Sequence, residues 1–205
     1  MRLLLAFFLF FATVVEAREL SDLRTYGEPA PSSIYIFASP DCPNCREFYK
    51  GVFPDILKRF VYTKKAQVFI VDMVARDAAL KAAMVMRCLP DDKAHKMAGW
   101  VYESQDRWVR AANPKPYFLQ YAKALGMTSK EFNECLANEQ LKSDIEDQRE
   151  QLRLLYQVRG TPTTVLRQGN IVKHYVGKDR KAILHGLEQD IEDYEKQQAI
   201  NVKAK

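Results

Sequence analysis

Ser33-Ile34-Tyr35-Ile36-Phe37-Ala38 runs through Ser39-Pro40-Asp41 into Cys42-Pro43-Asn44-Cys45 and a helical pattern. The first six residues are β-rich and apolar on both faces, and Pro31 and Pro40 bound them, which is how a central strand reads. Cysteines three apart face one side of a helix, with Cβ atoms roughly 5–6 Å apart. A small closing of that turn reaches the roughly 3.5–4.5 Å that a disulfide needs. Pro43 falls at the first helical position, where its missing N–H costs nothing and its fixed φ starts the turn. Cys42 then sits at the helix N-terminus, where unpaired N–H groups and the macrodipole favour a thiolate. The thiolate is the attacking species, so Cys42 reads as the reactive sulfur and Cys45 as the resolving one. A structural bridge or half a zinc site are the alternatives. Zinc wants two more ligands at matching spacing, whereas Cys88 and Cys135 stand singly, so no metal is expected.

Downstream, residues 43–59 read as a helix with Phe48, Val52, Phe53, Ile56, Leu57 and Phe60 at helical spacing, and Pro54 is expected to interrupt and kink it. Residues 67–72 read as a second strand, and the crossover between the two is long enough to make them parallel. From about 76 to 156 only helical signals occur, and we read this stretch as an inserted helical subdomain. Its segments are 78–88, 92–108, 116–125 closed by Gly126, a short helix opened by the capping box Thr128-Ser129-Lys130-Glu131, and 140–156 with Ile145, Leu152 and Leu155. Strand character returns at 163–167 and 171–175 around the turn Gln168-Gly169-Asn170. Asp179 then caps a last helix over about 180–197, and the tail past Ile200 is expected to fray.

Upstream, Arg2 precedes an apolar run from 3 to 15 and a small-x-small site at Val15-Glu16-Ala17. Residues 1–17 are therefore expected to be a cleaved signal peptide. The run is short of the roughly 20 apolar residues of a spanning helix, although an uncleaved anchor is the alternative. Residues 19–31 are polar and proline-bearing, an arm or edge strand at most. The formal charge of +5 is spread as mixed Lys, Arg, Asp and Glu rather than gathered into a block, which argues against a nucleic-acid partner. His95, His174 and His185 form no motif. Met84, Met86 and Met97, with Trp100, Trp108 and Tyr117, read as core first and binding surface second.

Strand, Cys-Pro-x-Cys, helix, strand, and a later Gly160-Thr161-Pro162-Thr163 before a hairpin and final helix resemble the thioredoxin fold. With a helical block between the halves, residues 18–205 are similar to the DsbA family of exported thiol oxidases. The resemblance implies an α/β, thioredoxin-like fold with an inserted α-helical subdomain, and catalysis by Cys42 and Cys45 within an active-site loop completed by Pro43 and Asn44. It implies a cis Thr161-Pro162 bond beside the dithiol, leaving the Thr161 backbone to pair with an extended substrate. It implies, further, a periplasmic location, reduced exported proteins as substrates, a membrane DsbB-like reoxidant, a monomer, and no cofactor.

Some members carry a second, structural disulfide. Cys88 and Cys135 would form it here, or remain small apolar residues, and an exported protein rarely keeps two free thiols. Two departures stand out. Many members have His where this chain has Asn44, and the first cysteine sits near pKa ~3.5 in DsbA and ~7 in thioredoxin, so a value between these is expected. The buried acid that such folds often hold six residues before the first cysteine is Ile36 here. Cys45 must then lose its proton to water or another group, and Asp41 is expected to lie too near the surface to serve. A reductase or isomerase on the same fold is the second reading, favoured by Thr161. A non-catalytic binding protein with purely structural cysteines is the third.

Overall fold

The computed structural model describes residues 23–203; the expected signal peptide lies outside the described residues. Strand β1 (Arg24–Tyr26) precedes β2 (Ser32–Ala38), α1 (Pro43–Gly51), α2 (Phe53–Ile56), a π-helical turn (Leu57–Val61) and β3 (Ala66–Asp72). Six helices follow: α3 (Asp77–Arg87), α4 (Asp91–Glu103), α5 (Gln105–Trp108), α6 (Lys115–Ala124), α7 (Ser129–Leu136) and α8 (Glu139–Leu155). The chain then returns through β4 (Thr163–Gln168), β5 (Ile171–Val176) and α9 (Arg180–Lys203). This is the α/β architecture with an inserted helical block that the sequence led us to expect.

The sheet order is β1-β3-β2-β4-β5, with β2 and β3 parallel and every other pair antiparallel. Central position explains why β2 is apolar on both faces. Ile34, Ile36 and Ala38 face a core shared with Phe48, Ile56, Phe60 and Leu187, while Tyr35 and Phe37 pack with Leu152 of α8 and with Tyr156 just past its end. Each fully buried side chain of this size contributes about 1.5–3 kcal/mol. The inserted helices enclose a further core around Met86, Met97, Trp108, Phe118 and Phe132. Among the described residues no helix is long and apolar enough to cross a membrane.

Local departures from the sequence reading have local causes. The first helix is interrupted as expected, two residues ahead of Pro54: it ends at Gly51 and restarts at Phe53, with Pro54 in the new first turn, where its missing N–H is harmless. The restart runs into the π-helical turn, where Tyr62 N–H reaches Leu57 O at 2.9 Å and so gains a residue per turn. Segment 92–108 divides at Ser104. Leu155, expected on the buried face of α8, is exposed, because the helix ends there and Tyr156 takes the inward position. The last helix continues to Lys203 rather than fraying past Ile200.

Candidate active site

The parallel pair β2–β3 and the start of α1 set the site. Cys42 is the N-cap of α1 with extended backbone (φ −81°, ψ 120°), and Pro43 occupies the first turn. Cys42 is half-buried and Cys45, one turn on, is buried; both are thiols in this structure. Pro43 and Asn44 are exposed. The loop entering the helix is closed by Cys42 N–H donating to Ser39 O at 3.1 Å, and Ser39 N–H points at Cys45 Sγ at 3.5 Å.

Thr161 and Pro162 come from the far side of the inserted helices, 119 residues on, and meet the dithiol. The Thr161–Pro162 bond is cis, and Cys42 Sγ lies 3.6 Å from Thr161 O. The structure thus gathers Cys42, Pro43, Asn44, Cys45, Thr161 and Pro162 at one place. Cys88 and Cys135 lie elsewhere, bonded to each other between the end of α3 and α7 with S–S 2.05 Å. Neither is therefore available to complete a metal site with the dithiol. Among the described residues no group of three or more His, Cys, Asp or Glu could hold a metal.

The two sulfurs are polarised in opposite directions. A hydrogen bond from the Cys45 thiol holds the Cys42 thiol down at about 5; burial opposes the shift, and the Thr161 side chain and the backbone N–H groups of Cys45 and Asn44 add to it. Cys45 is pushed far up by that same bond to Cys42 and by burial. At neutral pH Cys42 is the anion and Cys45 keeps its proton. Asn44 supplies only its backbone N–H to this arrangement, so the value falls between the two references expected when His is lacking.

Some polar residues of the site escape a sequence reading. Gln105, at the start of α5, is buried and donates through Nε2 to Pro40 O at 2.7 Å and Cys42 O at 3.0 Å. One inserted helix therefore holds the loop that carries Cys42. Nothing in the sequence around Gln105 signals this. Asp41 corrects an expectation: it is only 9% exposed, accepts from Ser39 Oγ, and binds Arg76 Nε at 2.5 Å. It clamps the loop to the start of α3. On the same side Arg24 and Arg87 share the buried Asp72 carboxylate at 2.6 and 3.3 Å.

Comparisons with known proteins agree with this geometry. A family model described as thioredoxin matches residues 21–185. A Rickettsia conorii chain provisionally named a protein-disulfide oxidoreductase is 24% identical over 106 residues, 51% of this chain and 38% of that one. A Rickettsia prowazekii counterpart is 23% identical over 53% of this chain and 40% of its own length. The chain thus matches well under half the length of these relatives. Among solved structures, Wolbachia pipientis alpha-DsbA1 superposes with a TM-score of 0.77 at 20% identity, covering 87% of this chain and 95% of that one. Oxidised BdbD from Bacillus subtilis gives 0.73 at 19% identity, covering 84% and 95%. A protein-disulfide isomerase from Novosphingobium aromaticivorans gives 0.68 at 19%, covering 81% and 97%.

Proposed function

This chain belongs to the thioredoxin family, and from that premise we propose that it is a thiol:disulfide oxidoreductase of the DsbA type working through Cys42 and Cys45. The observation that carries the reading is the half-exposed Cys42 at a helix N-terminus, held at about 5, with the buried Cys45 thiol behind it. In the oxidised protein a substrate thiolate attacks Cys42 Sγ, the Cys42–Cys45 bond breaks, and Cys45 leaves and takes up a proton. A second substrate thiolate then attacks its own sulfur in the mixed disulfide and releases Cys42 as a thiolate. The substrate leaves oxidised and the protein reduced. The low Cys42 value favours this direction, because whatever stabilises the reduced form makes the disulfide a stronger oxidant.

We propose that Thr161 O accepts from the backbone of an extended substrate segment, a reading supported by its lying 3.6 Å from Cys42 Sγ. We further propose that residues 1–17 direct export, that the substrates are reduced exported proteins, and that a DsbB-like membrane partner restores the disulfide. We propose that the protein acts as a monomer, with residues 18–205 as the working unit. The reverse sense, reductase or isomerase, is the second reading; Thr161 before the proline favours it.

Trapping tests the assignment. Cys42→Ser is expected to abolish oxidation of a reduced unfolded protein. Cys45→Ser is expected to accumulate a mixed disulfide through Cys42, seen by mass after acid quench. Equal thiol oxidation by both variants and the wild type would remove the dithiol from the reaction.

A further inference from the structure

Neighbouring strands align their residues in rows across the sheet, and one such row passes beneath the dithiol. Arg24 pairs with Ile70, Ile70 with Ile36, and Ile36 with Thr164. Ile36 holds the position at which a buried acid would serve Cys45, and it carries no charge. Two strands along the same row stands Arg24, 5% exposed. Its Nη2 binds Asp72 Oδ1 at 2.6 Å, while its Nε has no hydrogen-bond partner among the described residues. Tyr26 alternates to the same face as Arg24, and its Oη is also buried without a partner among the described residues.

These two unpartnered groups line the same small cavity as Cys45, together with Ile36, Tyr49 and Tyr102. The cavity measures about 10 Å³, at the lower limit for one water, and a water there finds polar partners in Arg24 Nε, Tyr26 Oη and Cys45. Orphaned buried donors are costly and rare in native proteins, so their convergence on the second sulfur calls for a role.

We propose that Arg24, anchored by Asp72, is a positioning residue for Cys45: across this cavity its guanidinium steadies the negative charge that passes through the second sulfur during exchange. The inference rests on the dithiol exchange proposed above. The other titratable groups facing Cys45 do not compete for the role. Burial pushes Tyr26, Tyr49 and Tyr102 upward and keeps them neutral. His95, stacked on Tyr26 at 3.7 Å, is pushed down by burial. Tyr49 Oη turns to His95 O at 3.5 Å. Cys42, the remaining neighbour, is uncharged once it is in a mixed disulfide, and at that moment no thiolate competes with Cys45 for the field of Arg24. The Asp72 carboxylate is shared between Arg24 and Arg87, two cations to one anion.

The step affected is resolution. Cys45 gives its proton to solvent, and its sulfur bonds to Cys42 Sγ. The bond from Cys42 to the partner sulfur breaks, and the partner leaves as a thiolate that takes a proton from solvent. Cys45 is oxidised and the partner sulfur reduced.

The test mixes reduced protein with glutathione disulfide and follows acid-quenched species by mass across pH 5–9. A first phase loads glutathione on Cys42; a second releases it as Cys45 closes the disulfide. In Arg24→Met the first phase is expected to stay within about twofold of wild type. The second is expected to slow about tenfold at pH 7, the equivalent of one pKa unit, with its pH midpoint moved up. Arg24→Lys, which keeps the charge, is expected to restore most of the rate. Tyr26→Phe, nearly constant in volume, is expected to slow the second phase about threefold, a share of the same unit, and carries the test should Arg24→Met not fold. A second phase unchanged in rate and pH midpoint in the folded variants overturns the proposal, as does a loss of stability with no movement of the midpoint. A wild type that never loads glutathione on Cys42 overturns the exchange itself, and the role of Arg24 with it.

Discussion

Removing Cys42 should change how the stability of the reduced protein depends on pH, and the size of the change follows from the site. The Cys42 thiol falls from an ordinary 9.0 to about 5 on folding. Its folded value is depressed, so the stabilisation is fully present above the unfolded value and is lost as pH falls through the folded one. Between those limits the unfolded chain holds one more proton, and stability rises by about 1.4 kcal/mol per pH unit. At pH 7 this amounts to about 2.7 kcal/mol before screening. Cys42 is half exposed, and solvent trims the figure to about 1–2 kcal/mol. Cys45 adds nothing below pH 8, since burial and Cys42 keep it protonated in the folded state and it is a thiol when unfolded. Urea unfolding of reduced wild type and reduced Cys42→Ala at half-unit steps from pH 5 to 8 reads the difference directly. The wild-type curve should climb away from that of the variant as pH rises. Two curves that run parallel across the range would refute the thiolate at Cys42.

Other variants probe the parts that hold the site. Cys88→Ala with Cys135→Ala opens a link spanning 47 residues, a loop whose closure is worth about 4 kcal/mol. Denaturant midpoints should fall accordingly while glutathione exchange at Cys42 continues. Gln105→Ala removes two hydrogen bonds to the active-site loop; Cys42 O keeps the Arg46 N–H at 3.1 Å, but the buried Pro40 carbonyl loses its Gln105 donor, which should cost about 1–3 kcal/mol; an unchanged urea midpoint would mean that the loop stands without α5. Asn44→His places a cation beside Cys42 and should lower its titration midpoint. It should also raise the disulfide potential by tens of mV, about 30 mV per 1.4 kcal/mol.

Much of this architecture is legible in the sequence because it rests on short-range signals. The doubly apolar 33–38 run is central since β2 has neighbours on both edges and helices on both faces. The capping box at Thr128 and Glu131 and the N-cap at Asp179 form as read, since each joins residues three apart. What the sequence conceals is polar and long-range. Arg24, Asp41, Asp72 and Gln105 would each be costly to bury alone, so a residue-by-residue reading sends them to the surface. They are buried because partners 48 residues away for Arg24 and 35 for Asp41 complete them, and no local pattern announces such pairs. β1 is read only as far as an arm or edge strand within 19–31, because three residues at a sheet edge are too few to show alternation. The division of the first helix at Val52 reflects how Pro54 is best accommodated, which packing decides.

The central claim is that Cys42 and Cys45 form a working redox couple and not a fixed bridge. Its most direct test is the reduction potential of that pair, measured at equilibrium in glutathione buffers with mass readout of each sulfur. A Cys42 value of about 5 predicts a potential between those of thioredoxin, about −270 mV, and DsbA, about −120 mV. A value below about −300 mV, where structural disulfides lie, would contradict it.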